Sequence, residues 1–261
     1  MRVALKFAYN GRKYHGFARQ PNLLTIEDEI INSLKKNGFI DDIKKSKFQY
    51  ASRTDKGVSA IGNVIAFDTD FLKENILQKL SKDFTDILFY GIINVSSQFN
   101  PRYANLRTYR YYLSRFNMDY RRTKSISKIF IGEHDFSNFA RVESFKNPIK
   151  KIENINISKK RNLLFIDFYA QTFLWHQIRR IVSSIIKFEK GKIEKNQIEM
   201  ALENPNKKFD FGLAPAEPLI LLNISYDFIF EYNEKLYNKL RFFKKKLMND
   251  LDVSSIKPPV G

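Results

Sequence analysis

Hydrophobic and polar residues alternate at the start of the chain. In MRVALKFAYNGRKY, Val3, Leu5, Phe7 and Tyr9 share one face and Ala4, Lys6 and Ala8 the other, which predicts a β-strand. The period then lengthens. In TIEDEIINSLKKNGF, Ile26, Ile30, Ile31 and Leu34 fall at helical spacing, with Thr25 and Asp28 as the N-terminal cap and Gly38 as the stop. KFQYASR and GNVIAFDT predict two strands on either side of a loop that carries Asp55; FLKENILQKLSKDF predicts a short helix and DILFYGIINVS a buried strand. An Asn-Pro pair ending at Pro101 marks a change of character. Beyond it, IENINIS and NLLFIDFYAQ predict a strand pair, TFLWHQIRRIVSSIIKF a helix, and LILLNISYDFIF a closing apolar stretch. The basic tail repeats Leu236, Leu240, Phe243 and Leu247 at helical spacing with lysines opposite, which predicts a helix that docks on the fold, completes a dimer or touches RNA, a docked surface helix being the commonest outcome. This is an α+β pattern built around antiparallel sheet, with one expected lobe over residues 1–100 and a second over 101–261.

Composition narrows the chemistry. There is no cysteine, so disulfides, thiolate nucleophiles and cysteine-ligated metals are excluded. His15, His134 and His176 lie far apart and lack metal-ligand spacing, so no metal site is expected. No apolar run approaches the roughly 18 to 20 residues of a membrane span. The first residues read as a strand and not as a signal peptide, so the cytoplasm is the expected location. Lys and Arg outnumber Asp and Glu by 45 to 28, a formal charge of +17, which favours a polyanionic partner, nucleic acid first. A basic, Lys- and Asn-rich composition bias would give the same sum.

Three stretches stand out. In QYASRTDKGVSAIGN, Asp55 sits between Arg53 and a Lys56-Gly57 turn. A loop between strands holds a side chain firmly while leaving it accessible; taken by itself, such an aspartate either caps a hairpin or serves as a positioned carboxylate. In TYRYYL, strand alternation puts Tyr109 and Tyr111 on one face and Arg110 and Tyr112 on the other. In the FLWHQIRRIV segment, read as a helix, Leu174, Ile178, Ile181, Val182 and Ile185 form an apolar arc with Arg179 at its edge, while Arg180 points away. An arginine beside a buried face needs a partner or a snorkelling path to solvent; Asp55 is the expected partner.

SRTDKGVSA resembles the signature of the TruA family of tRNA pseudouridine synthases, RTDxGV followed by a small residue or His and then Ala. Further resemblances run in order along the chain: FAYNGRKYHGFARQP, FNPRYANLRTYRYYL, GEHDFSNFA, FLWHQIRRIV and APAEPLILLNISYD. Ser59 stands where bacterial members usually carry His, so GVSA is closer to the archaeal and eukaryotic branches. Asn10 replaces the usual Asp, and Pro218 the usual Gly before Leu219. The resemblance implies the pseudouridine synthase fold, two α/β lobes around a central antiparallel sheet with the active cleft between them. It implies isomerisation of uridine to pseudouridine in tRNA, in the anticodon arm at positions 38–40, without a cofactor and by a homodimer. Asp55 would be the essential carboxylate, attacking the sugar, adding to the base or deprotonating the ribose. Tyr109 would stack on the flipped base and help remove the C5 proton, Arg179 would act beside Asp55, and Leu219 would line the base pocket. Arg53, Lys13, Arg19, Lys56, Arg102, Arg107 and Arg110 would meet phosphates, positioning the RNA without reading sequence. An RNA-binding or tRNA-folding chaperone that keeps the scaffold without catalysis is the alternative. A hydrolytic RNA enzyme would need a second acid or a metal cluster, which the sequence lacks.

Overall fold

A computed structural model describes residues 1–114 and 118–251. In chain order the elements are β1 (Arg2–Tyr9), α1 (Ile26–Lys36), β2 (Gln49–Tyr50), β3 (Ser59–Asp68), α2 (Lys73–Asp83), β4 (Ile87–Val95) and β5 (Leu106–Ser114). They continue with α3 (Tyr120–Ser127), β6 (Gly132–Asp135), β7 (Ile149–Ile152), β8 (Asn154–Lys160), β9 (Leu163–Ala170) and α4 (Gln177–Glu189). The last are α5 (Lys195–Glu203), β10 (Leu219–Ser225), β11 (Glu231–Tyr232) and α6 (Glu234–Asp250). The fold is α+β, as expected. The chain forms two compact units: Met1–Asn105 together with the described residues from Ile220 on, and Leu106–Leu219. Most of β10 and all of α6, which follow the second lobe in chain order, therefore belong with the first. The last residues of that expected lobe, 252–261, and residues 115–117 at the end of the Arg/Tyr stretch lie outside the described residues.

In the first unit the strands run β11-β4-β1-β3-β10, with β2 also paired to β3. Every pairing is antiparallel except β3 with β10, where Ile220 lies opposite Ser59 and Leu221 opposite Ala60. β1 is central and buried on both faces, Arg2 and Lys6 included. On one face Phe7 stacks on Phe89 at 5.1 Å, and Phe7 and Tyr9 both meet Phe17. On the other, Tyr90 of β4 lies against Tyr232 and against Tyr237 of α6. The basic tail is thus a docked helix, burying Leu236, Leu240 and Leu247. Asn233 caps its start through a hydrogen bond from the Leu236 amide, 3.1 Å. α1 begins and ends as its sequence predicts: Thr25 Oγ1 accepts from the Asp28 amide, and Gly38 follows with φ +71°.

In the second unit β9 is the middle strand between β5 and β8, all antiparallel, and β6–β7 form a separate pair. The β8–β9 hairpin turns on Arg161, whose φ is +52°, as a two-residue loop demands. One sequence expectation changes here. α4 starts at Gln177, not Thr172, because His176 takes a left-handed conformation (φ +65°) that a helix cannot continue through. The TFLW segment before it is non-helical, with Trp175 bridged to Arg141, whose amide donates to the Trp175 carbonyl at 2.8 Å. Leu174 is buried from that segment and not from the helix. Likewise only Gln49–Tyr50 of KFQYASR is strand; Ala51 through Val58 is loop.

Candidate active site

The loop that carries Asp55 is built on one tight turn. The Val58 amide donates to the Asp55 carbonyl at 3.1 Å, and Gly57 has φ +85°, the positive φ that the third position of a type II turn requires. The turn is anchored from several sides. Tyr9 and Thr54 share a buried hydroxyl–hydroxyl hydrogen bond of 2.8 Å. The Phe17 amide donates to the Thr54 carbonyl at 3.0 Å. Asn63, wholly buried in the middle of β3, donates from its side chain to the Ser52 carbonyl at 2.9 Å and to the Tyr9 hydroxyl at 3.4 Å. Gly11 sits so close that a Cβ there would lie 2.0 Å from the Val58 carbonyl oxygen, so only glycine fits; its amide donates to Ser59 Oγ at 3.0 Å.

These contacts account for two departures from the family pattern. Ser59 is buried and spends its hydroxyl holding Gly11. The Asn10 side chain accepts from the Arg12 amide at 3.2 Å, an acceptor role an aspartate would fill equally. The alternation through the loop leaves Ser52 and Thr54 buried, Arg53 exposed and Asp55 half-buried, with Lys56 exposed beside it. A carboxylate is therefore held by its backbone while its side chain keeps an accessible face.

Around this loop the first unit gathers several of the expected basic residues. Arg19, two residues after Phe17, is held by Glu27: its amide donates to Oε2 at 3.0 Å and its guanidinium lies 3.7 Å from Oε1. Burial pushes the Glu27 carboxyl up, and the Arg19 and Arg102 charges pull it back. The Arg102 guanidinium stands over the Tyr50 ring at 5.3 Å. Lys13 reaches Asp86 at 2.9 Å with most of its side chain in solvent.

In the second unit the Arg/Tyr strand β5 separates its residues by face. Arg107, Tyr109 and Tyr111 are buried. Arg107 donates to the Gln171 carbonyl. The Tyr109 ring meets Phe173 edge-on, 5.4 Å between centroids and 88° between planes. The Tyr111 hydroxyl donates to the Pro215 carbonyl at 3.0 Å, and burial raises its pKa. On the other face Arg110 makes a two-pronged ion pair with Asp167, at 2.6 and 2.7 Å, and covers the Phe165 ring. Asp167 is almost wholly buried, and its hydrogen bonds hold the Arg110 pKa above the usual guanidinium range. Arg179, half-buried in the first turn of α4, donates from Nε to the Ala214 carbonyl at 2.8 Å, while the Ala214 amide donates to the Arg179 carbonyl at 3.2 Å. Leu219 is buried at the start of β10, its amide bonded to the Ala216 carbonyl, and the Pro218 carbonyl accepts from the Tyr112 amide.

Sequence reasoning singled out the loop but not its anchors, Tyr9, Gly11, Thr54 and Asn63. The spacing of Tyr9, Gly11 and Gly16 in the opening segment was the available signal. Among the described residues no group of three or more His, Asp or Glu side chains could hold a metal ion, and no helix is long and apolar enough to cross a membrane.

A family model described as tRNA pseudouridine synthase matches residues 126–227. The tRNA pseudouridine synthase A of Thermococcus sibiricus is 39% identical over 261 residues, covering 98% of this chain and 97% of the relative. That of Pyrococcus furiosus is 41% identical over 232 residues, covering 87% and 84%, and that of Methanobrevibacter smithii 35% over 271 residues, covering 96% and 91%. These matches define the class, the pseudouridine synthases, which are isomerases of uridine. Within it, the chain belongs to the tRNA pseudouridine synthase A (TruA) family.

Proposed function

We propose that the protein isomerises uridine to pseudouridine in the anticodon arm of tRNA, at positions 38–40, with Asp55 as the essential carboxylate. The observation that carries this reading is the Asp55 turn, whose backbone is fixed by buried hydrogen bonds while its side chain stays half-exposed among basic residues. The reaction breaks the N1–C1′ bond of the nucleotide, turns the uracil and forms a C5–C1′ bond. The C5 proton is lost and N1 ends protonated, so no electrons and no cofactor are exchanged. As nucleophile or as base, the carboxylate works only when ionised and held within hydrogen-bond reach of the reacting atoms.

Tyr109 is assigned to stacking on the uracil and to helping the C5 proton leave, Arg179 to a catalytic role, and Leu219 to lining the base pocket. A uridine in a stem must be flipped out before any of these groups reaches it. Arg53, Lys56, Arg19, Arg102 and Lys13 supply phosphate contacts around the turn. The protein is further proposed to act in the cytoplasm as a homodimer. Exposed Ile229, Tyr232 and Phe242 in the first unit offer apolar surface for such a contact, and sedimentation at a monomer mass at micromolar concentration would exclude it.

The test is an unmodified tRNA transcript incubated with the protein, with pseudouridine mapped by carbodiimide-blocked reverse transcription. New stops in the anticodon arm are expected, and none with Asp55→Asn, whose turnover falls by at least about a hundredfold while tRNA binding persists. Binding without any pseudouridine would leave the RNA chaperone in its place.

A further inference from the structure

The chain contains one tryptophan, and it is not in the core. Trp175 is 43% exposed, although indole usually spends most of its large apolar surface inside a fold or an interface. It is fixed rather than loose. The Arg141 amide bonds the Trp175 carbonyl at 2.8 Å, and the Arg141 guanidinium lies over the indole, 4.3 Å from the ring centre. His176 flanks the same ring at 4.9 Å. Four residues after Arg141, at the tip of the turn closed by the Lys146 amide on the Glu143 carbonyl, Phe145 is 76% exposed with the Lys146 ammonium 5.4 Å from its ring. Flat rings interleaved with cations, held at a surface, match an unpaired nucleotide: the base has a π-face to stack and the phosphate an anion to neutralise.

The position of this surface relative to Tyr109 gives it a role. Phe173, which packs edge-on against Tyr109 with 5.4 Å between ring centres, precedes Trp175 by two residues, so at most about 7 Å of backbone separates Phe173 from Trp175. One nucleotide spans a comparable distance. We propose that the Arg141–Trp175 stack is a second base seat, holding an unpaired nucleotide adjacent in the RNA to the uridine that Tyr109 receives. This rests on the assignment of Tyr109 above.

Because Trp175 is the only indole, its emission reports this one place. Titrating the full-length protein with unmodified tRNA transcript is expected to quench it, as is a short single-stranded RNA, while an RNA duplex of equal length quenches far less. Arg141→Ala and Trp175→Ala are expected to weaken tRNA binding about tenfold, the scale of one lost base stack. They should raise KM with kcat nearly unchanged, and Trp175→Phe should restore most of the affinity. Unchanged emission at a tRNA concentration that saturates filter binding would overturn the proposal. So would equal quenching by the duplex, or native affinity in both alanine variants. If Trp175→Ala does not fold, the native protein's emission and Arg141→Ala still decide. Quenching by RNA in a protein that makes no pseudouridine would remove the assigned reaction and leave the seat standing; pseudouridine without quenching would do the reverse.

Discussion

Arg53 and Arg110 lie in stretches that read alike, each an arginine within two residues of an aspartate or a tyrosine in a strand-like segment, yet the fold uses them in opposite ways. Arg53 faces solvent on a turn whose neighbours, Ser52 and Thr54, are buried. Arg110 is consumed by the almost wholly buried Asp167 in a two-pronged pair between neighbouring strands. The first keeps the exposure that a phosphate contact requires; the second neutralises a charge that the sheet interior could not otherwise hold. Density of arginine in a sequence therefore locates the RNA-facing region only loosely, because a buried carboxylate across the sheet can claim the guanidinium first.

The largest effect expected from this contrast is on stability. Arg110→Ala leaves Asp167 buried without its partner and should cost about 3–5 kcal/mol, seen as a large fall in Tm. A variant with native Tm and weaker tRNA binding would move Arg110 to the RNA-facing group. Lys6 sharpens the same comparison as a buried cation with no carboxylate partner among the described residues. Its ammonium donates to Asn223 Oδ1 and the Ile224 carbonyl, and burial together with the Lys244 charge lowers its pKa to about 8. A base whose pKa falls on folding disfavours the folded state wherever it is charged. Below pH 8 that penalty is constant, and it disappears as pH rises from 8 toward 10.5, because there the unfolded chain binds the extra proton. Stability should therefore rise over that window by up to about 3 kcal/mol, and Lys6→Met should flatten the rise in thermal melts taken across it.

Smaller effects separate the anchors of the Asp55 turn from the residues it displays. Tyr9→Phe removes the hydroxyl that holds Thr54 and should cost about 1 kcal/mol of stability, with kcat falling several-fold at unchanged KM. A rise in KM alone would mean that the anchor does not reach Asp55. Arg53→Ala should move stability by less than about 0.5 kcal/mol. It should lower the slope of log affinity against log salt by about one, the loss of a single phosphate contact. An unchanged slope would place Arg53 off the RNA path.

Much of this contrast was open to a reader of the sequence, and some was not. α1 was legible in full, because its periodicity, its Thr25 cap and its Gly38 stop are all local signals. The Asp55 loop was legible as a position, since Arg53, Asp55 and Gly57 carry the motif within five residues. α4 was read five residues too long, because nothing in TFLW announces that His176 will adopt a left-handed backbone and that Trp175 will pair with Arg141. Arg107 and Arg110 were expected to meet phosphates; that their guanidiniums also take Gln171 and Asp167 as acceptors was not legible, because these come from β9 and the residue after it, more than fifty positions away.

The sequence by itself determined the periods of the strands and helices, the strong positive charge, the absence of thiol chemistry and, through its motifs, the family. Those properties depend on residue type and on neighbours within a few positions. Tertiary structure decided which polar groups are spent inside and which face outward. Tyr9, Thr54 and Asn63 meet behind Asp55, Ser59 holds Gly11, and the chain from Ile220 returns to lay β10 along β3 and α6 over β4. Each of these is set by desolvation: a buried donor, acceptor or charge must find its partner wherever the sheet register brings one, and that register is a property of the whole fold.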